Sequence, residues 1–160
     1  MSTGRSASAG LASPELLCAD ACTLADLEMH RAIRRAVFVE EQGIFEGSDA
    51  DAQDEDPRTV HVLGWVGDQP GGAVRLYPLD DDGLRWQGDR LAVLPQFRAA
   101  GLGGPLVRHA VATAARLGGT HMVAHIQTPN VRFFQHLGWE PDGAEEIYVG
   151  RTHQPMIIRW

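Results

Sequence analysis

The sequence predicts an α/β (α+β) fold: a mixed, largely antiparallel twisted sheet flanked by helices, with one strand–loop–helix suited to an anion. Three observations lead there. Short apolar runs punctuated by turn residues dominate from residue 59 onward. Segments of helical spacing interrupt them near residues 24–38 and 105–117. A glycine-rich stretch joins one of the strands directly to the second helix. At 160 residues the chain fits one domain, and 44% hydrophobic residues suffice for a core without metal or disulfide staples. The expected organisation is a disordered leader over residues 1–14, rich in Ser, Ala and Gly, and one domain over residues 15–160.

In chain order, residues 15–21 form a short apolar run suited to an opening strand. Leu24, Leu27, Ile33, Val37 and Phe38 then recur at mixed helical spacing, with Thr23 as N-cap and Asp26 at the capping-box position. Arg31, Arg34 and Arg35 are expected on the outer part of that helix. Residues 43–57 read as a solvated acidic loop carrying Asp49, Asp51 and Asp54; the glycine and terminal-glutamate spacing of a calcium loop fails. Residues 59–66 and 72–77 make a hairpin around the turn at 67–71, and residues 86–94 a further strand. The helix over 105–117 stops at Gly118-Gly119. A strand over 120–126 and a short helix over 130–137 follow, and residues 146–149 pair with 155–160 in a final hairpin. The four tryptophans, Trp65, Trp86, Trp139 and Trp160, read as packing residues.

Charge and composition exclude several functions. The net charge is −7 with only 14 Lys and Arg, the opposite of what neutralising many phosphates needs, so neither nucleic acid nor an anionic membrane is expected as a partner. No apolar run approaches the roughly 18–20 residues that span a bilayer, and no signal-peptide pattern opens the chain; the cytoplasm is the expected location. Cys18 and Cys22 lack a second ligand pair at zinc spacing, and no metal is expected.

The glycine stretch is the informative one. Leu91-Ala92-Val93-Leu94-Pro95 ends a strand, and Arg98-Ala99-Ala100-Gly101-Leu102-Gly103-Gly104 leads into the helix near Pro105. Glycines let backbone N–H groups approach an anion, and a helix start adds unpaired donors and the positive dipole end. A Walker loop needs Lys and a hydroxyl after the last glycine, and Gly104-Pro105-Leu106 has neither. A dinucleotide fingerprint needs glycine three positions after Gly103, where Leu106 stands. A plain connecting turn also fits the stretch taken alone.

Arg98-x-x-Gly101-x-Gly103 after a Val-x-Pro strand end resembles the acetyl-CoA loop of the GNAT N-acetyltransferases. The segment from Asn130 through Phe133-Phe134 to Gly138-Trp139 resembles the same family's Asn-x-x-x-Phe-Tyr-x-x-x-Gly-Phe helix, one residue shorter before the aromatic pair. A narrower likeness is to bacterial nitrogen-starvation N-acetyltransferases that accompany nitrilase gene clusters. It rests on residues 34–45, 89–93, 124–127 and 150–153.

The resemblance implies transfer of an acetyl group from acetyl-CoA to the amine of a small molecule or peptide, and is compatible with a homodimer. It assigns the strand backbone at Leu91 and Val93 to the acyl and pantetheine arm. The amides of Arg98, Ala99, Ala100, Gly101, Leu102, Gly103 and Gly104 go to the pyrophosphate, and Asn130, Phe133 and Phe134 border the arm. Phe134 stands where many relatives carry an acid Tyr, and phenyl donates no proton. That departure opens an alternative, a CoA-binding sensor with reduced catalysis. Candidate bases are His125 on the strand before Asn130, Glu41 in a loop bordering the acceptor, and Asp89 where relatives often carry Glu.

Overall fold

The computed structural model describes residues 14–160; the expected leader lies outside them but for Pro14. The strands are β1 Leu16–Asp20, β2 Val60–Val66, β3 Gln69–Pro78, β4 Arg85–Val93, β5 His121–Gln127, β6 Glu140–Pro141, β7 Glu146–Tyr148 and β8 Arg151–Arg159. They form one sheet in the order β1-β2-β3-β4-β5-β8-β6, with β7 also paired to β8. Every pairing is antiparallel except β4–β5. The helices are α1 Leu24–Arg34, α2 Gly103–Arg116 and α3 Val131–His136.

Helices cover both faces, which is why β3 is buried over most of its length and not only at alternate positions. Leu106, Val107 and Ala110 of α2 pack on one face with Met122, Ala124 and Ile126 of β5. Ile33, Val37 and Phe38 pack on the other with Leu63, Ala73 and Ala92. As expected, Thr23 caps α1, its hydroxyl accepting from the Asp26 amide at 3.1 Å. The helix then widens into a π turn, Arg35–Glu41, closed by the Gln42 N–H donating to the Val37 carbonyl five residues back at 2.9 Å.

Two expectations need correction. Arg34 is not on the outer face: it is fully buried, and Asp49 and Asp54 from the loop read as solvated are buried with it. The Arg34 guanidinium donates to Asp54 at 2.7 and 2.9 Å and to Asp49 at 2.7 Å. Arg75, also fully buried, holds Asp89 with two 2.8 Å bonds and Asp51 at 2.6 and 3.2 Å. Planar guanidinium–carboxylate forks satisfy buried charges that would otherwise be prohibitive. Burial pushes the Asp54 carboxyl up, but hydrogen bonds from His61 and Arg34 outweigh it and hold the group far below the usual carboxylate range. The last hairpin also differs. The strand β8 begins at Arg151, not residue 155, because Val149 and Gly150 (φ 45° and 77°) make a two-residue turn of the type that twists with its strands.

Candidate active site

Parallel pairing of β4 and β5 covers only Arg85–Gln87 against His121–Val123. Beyond that the strands part, leaving facing main-chain donors and acceptors unpaired across a gap. A bulge drives the separation. Ala73 faces Ala92 while Arg75 faces Asp89, so β4 carries one extra residue there, and Arg90 adopts φ 52°. That conformation is unusual for a non-glycine residue. Arg90 is held in it by bonds to Asp49 and Asp51 and by its guanidinium over the Phe45 ring at 4.7 Å.

The gap is a cavity of about 230 Å³ lined by residues from both faces of the sheet. On the α2 face its walls include Leu91, Val107, Ala124, Ile126, Asn130 and Phe134. On the α1 face they include Phe38, Ile44, Phe45, His125, Tyr148 and His153. The cleft therefore has two unlike walls, which can hold two reactants side by side.

Below the α2 face sits the glycine loop. Residues 95–100 form a 3₁₀ turn carrying Arg98, Ala99 and Ala100, and Gly101 ends it in the left-handed conformation at φ 78°. Leu102 is fully buried and seats the loop on the sheet; a Cβ at Gly72 would lie 3.0 Å from its side chain. Helix α2 opens at Gly103 and Gly104 with no side-chain cap, so its first amides lack an intrahelical acceptor. Val93 and Leu91 pack beside the loop on the same face.

Arg98, whose amide is expected at the pyrophosphate, turns its guanidinium away into a fork with Glu41, at 2.7 and 2.5 Å, and donates to the Val93 carbonyl at 3.1 Å. These two predicted residues thus meet across 57 positions of chain. The Arg98 bonds hold the Glu41 carboxyl below its ordinary value, which suits an ion pair better than a base acting near neutrality. A cation that sequence reasoning missed is Arg108, whose guanidinium lies 3.4 Å from a Cβ built on Gly104. Its spacing of four residues from Gly104 was the available signal.

Asn130 is exposed at the start of α3 and borders the cleft. Phe133 is half-exposed and its ring lies 3.3 Å from a Cβ built on Gly103. Phe134 is buried edge-on against Trp139 with ring centroids 5.4 Å apart. The Trp139 indole N–H is itself buried without an acceptor, and Trp139 borders the cleft. A buried donor left unmatched is uncommon, and a ligand carbonyl is one way to match it.

The other candidates lie on the α1 face. His125 projects from β5 with Nδ1 2.5 Å from Glu146 Oε1, a pairing that leaves Nε2 free. Tyr148 stacks on His125 and meets His153 edge-on. His153 Nδ1 donates to the Arg151 carbonyl at 2.8 Å, again leaving Nε2. Asp89 borders the cleft too, but it accepts from Arg75 twice and from the Tyr77 hydroxyl at 3.0 Å. Glu146 and Tyr148 were placed on the final hairpin but not as partners of His125, and His153 was left off it because the second strand was started at residue 155 instead of Arg151.

A family model described as the acetyltransferase (GNAT) family matches residues 27–139. The chain belongs to the GNAT acetyltransferase family. It is 31% identical to the Bacillus subtilis protein YyaT over 135 residues, which are 84% of this chain and 89% of that protein. Among solved GNAT-like folds, Escherichia coli ElaA superposes with a TM-score of 0.77 at 24% identity, over 90% of this chain and 98% of that one. An aminoglycoside 6′-N-acetyltransferase complexed with coenzyme A superposes with a TM-score of 0.74 at 15% identity, over 89% and 96% of the two chains. Like other GNAT members, this chain is an acetyl-CoA-dependent N-acetyltransferase with a mixed, mostly antiparallel sheet.

Proposed function

We propose that this enzyme acetylates the primary amine of a small-molecule acceptor in the cytoplasm, with acetyl-CoA on the α2 face of the cleft and the amine on the α1 face. The observation that carries the reading is the two-faced cleft, with uncapped helix amides on one side and the His125–Glu146 pair on the other. Acetyl-CoA supplies an acetyl group on a thioester; transfer forms a C–N bond, breaks the C–S bond, and yields amide, free thiol and one proton. The amides at Gly103 and Gly104, with Arg108, hold the pyrophosphate, and Arg98 fixes the loop through Glu41. The unpaired β4 edge at Leu91 and Val93 aligns the arm, with Asn130 and the Trp139 indole as further donors. His125 Nε2 takes the ammonium proton, and Glu146 stabilises the imidazolium that results. Phe134 lines the cleft with Phe133 packed edge-on beside it, and neither moves a proton.

The narrower kinship with nitrogen-starvation acetyltransferases rests on sequence phrases alone and names no acceptor. The departure at Phe134 favours one second reading, a CoA-binding sensor. Both readings predict stabilisation by CoA, about 2.7 kcal/mol at 100 times the dissociation constant. Only the transferase reading predicts thiol release when amines are screened with acetyl-CoA. Absence of CoA-dependent stabilisation contradicts both.

A further inference from the structure

The acceptor side of the cleft holds polar groups, yet nearly every charge on it is already matched from within. Asp89 is filled by Arg75 and Tyr77. Arg90 is spent on Asp49, Asp51 and the Phe45 ring. Gln87 donates to the Tyr77 hydroxyl and Gln127 to Gln42, each at about 3 Å. One carboxylate at the mouth, Glu146, is left to His125. The remaining lining there is mostly apolar, Phe38, Ile44, Phe45, the Tyr148 ring and Val149, with His153 Nε2 and the Tyr148 hydroxyl as its polar atoms. Three carboxylates of the acidic loop, Asp49, Asp51 and Asp54, which the net charge of −7 would make a lure for cations, are paired with Arg34, Arg75 and Arg90.

Size points the same way. The cavity of about 230 Å³ lies below the roughly 300–1,000 Å³ of clefts that hold drug-sized ligands. It must take the acetyl end and the acceptor together.

We infer, on the basis of the transferase reading above, that the acceptor is a small primary amine with an apolar, aromatic or branched body and no second charge. Its single ammonium loses its charge at His125 as it reacts, whereas a second ammonium or a carboxylate enters a mostly apolar wall where, among the described residues, the carboxylates and guanidiniums are already paired. The aromatic body packs against Phe38 and Phe45.

The test is a kcat/KM series with acetyl-CoA and 2-phenylethylamine, isoamylamine, phenylalanine, spermidine and an aminoglycoside. The two apolar amines are expected at least ~10-fold above the others, the size of one unmatched polar group. A second arm uses Val149→Asp, at a rim position with φ 45°, a backbone that Asp tolerates better than Val. The added carboxylate should raise spermidine relative to phenylethylamine about 10-fold, with CoA affinity unchanged. Equal or faster turnover of phenylalanine, spermidine or the aminoglycoside overturns the inference while leaving the transferase reading intact. So does an unchanged ratio in Val149→Asp; CoA binding with none of these amines turned over overturns the inference and favours the sensor reading over the transferase one. Loss of both CoA binding and thiol release with every amine brings down the transferase reading itself.

Discussion

His30 makes the fold sensitive to mild acid, and the size of the effect follows from its surroundings. The ring is fully buried on the inner face of α1, with Nε2 bonded to the Val74 carbonyl at 3.0 Å and Nδ1 buried without a partner. Burial, with a smaller contribution from the neighbouring His61 and Arg34, lowers its pKa from 6.5 to about 3. The unfolded chain therefore binds a proton below about pH 6.5 that the folded chain refuses until about pH 3. Stability from this site is complete above the unfolded value and is lost as pH falls through that window. At about 1.36 kcal/mol per pH unit, roughly 2.7 kcal/mol is gone by about pH 4.5, and between 4 and 5 kcal/mol at the lower limit. That is a large part of the 5–15 kcal/mol typical of a domain. The assay is urea unfolding followed by tryptophan fluorescence at about pH 7 and about pH 4.5, on wild type and His30→Phe. The variant loses the Val74 bond, so it starts lower, but its further loss between the two pH values should be smaller by about 2.7 kcal/mol. Titrating groups remote from His30 are shared and cancel in the difference, and a His61→Phe background removes the neighbouring imidazole from both proteins. Parallel losses in the two proteins refute the argument.

Other expectations concern the site and its support. Gly101→Val forces a β-branched residue to φ 78°, and Gly103→Val sets a side chain against Phe133; both should weaken CoA binding, by calorimetry, far more than Arg98→Ala. His125→Ala should lower kcat/KM by about 10²-fold or more and remove the rising limb of the pH–rate profile, with CoA affinity little changed; Glu41→Ala and Asp89→Asn should leave that limb in place. Phe134→Tyr should change activity only modestly, because the ring is packed edge-on against Trp139 in the core. Asp54→Ala strands buried Arg34 and should cost about 3–5 kcal/mol in denaturant unfolding, whereas Glu55→Ala, in an exposed pair with Arg31, should cost under about 1 kcal/mol.

The strands, the Thr23 cap and the Gly118 stop were legible because each depends on neighbours within a few residues. The glycine loop was legible for the same reason: anion binding needs small residues at fixed offsets ahead of a helix. What escaped was pairing over distance. An arginine on α1 looks like a solvent residue until Asp49 and Asp54 come to it from 15 and 20 positions away. Glu41 reads as a free carboxylate until Arg98 arrives from 57 positions away. The bulge at Arg90 and the early start of β8 depend on register, which local composition does not encode. Glu146, Tyr148 and His153 were therefore invisible as companions of His125.

The π turn at Arg35–Glu41 has a consequence for changes of chain length. Such a turn is in effect an α-helix wound with one residue to spare. Deleting one residue there would restore regular winding, rotate every later side chain by about 100° and draw it back by about 1.5 Å. Glu41 would then swing away from Arg98, and Gln42 from Gln127, cutting two ties that bind the end of this helix to the loop after β4 and to β5. Exposed Arg35 and Glu40 can be exchanged for other residues, but their number cannot change. A deletion scan across the turn should therefore be far more damaging than an alanine scan of the same positions.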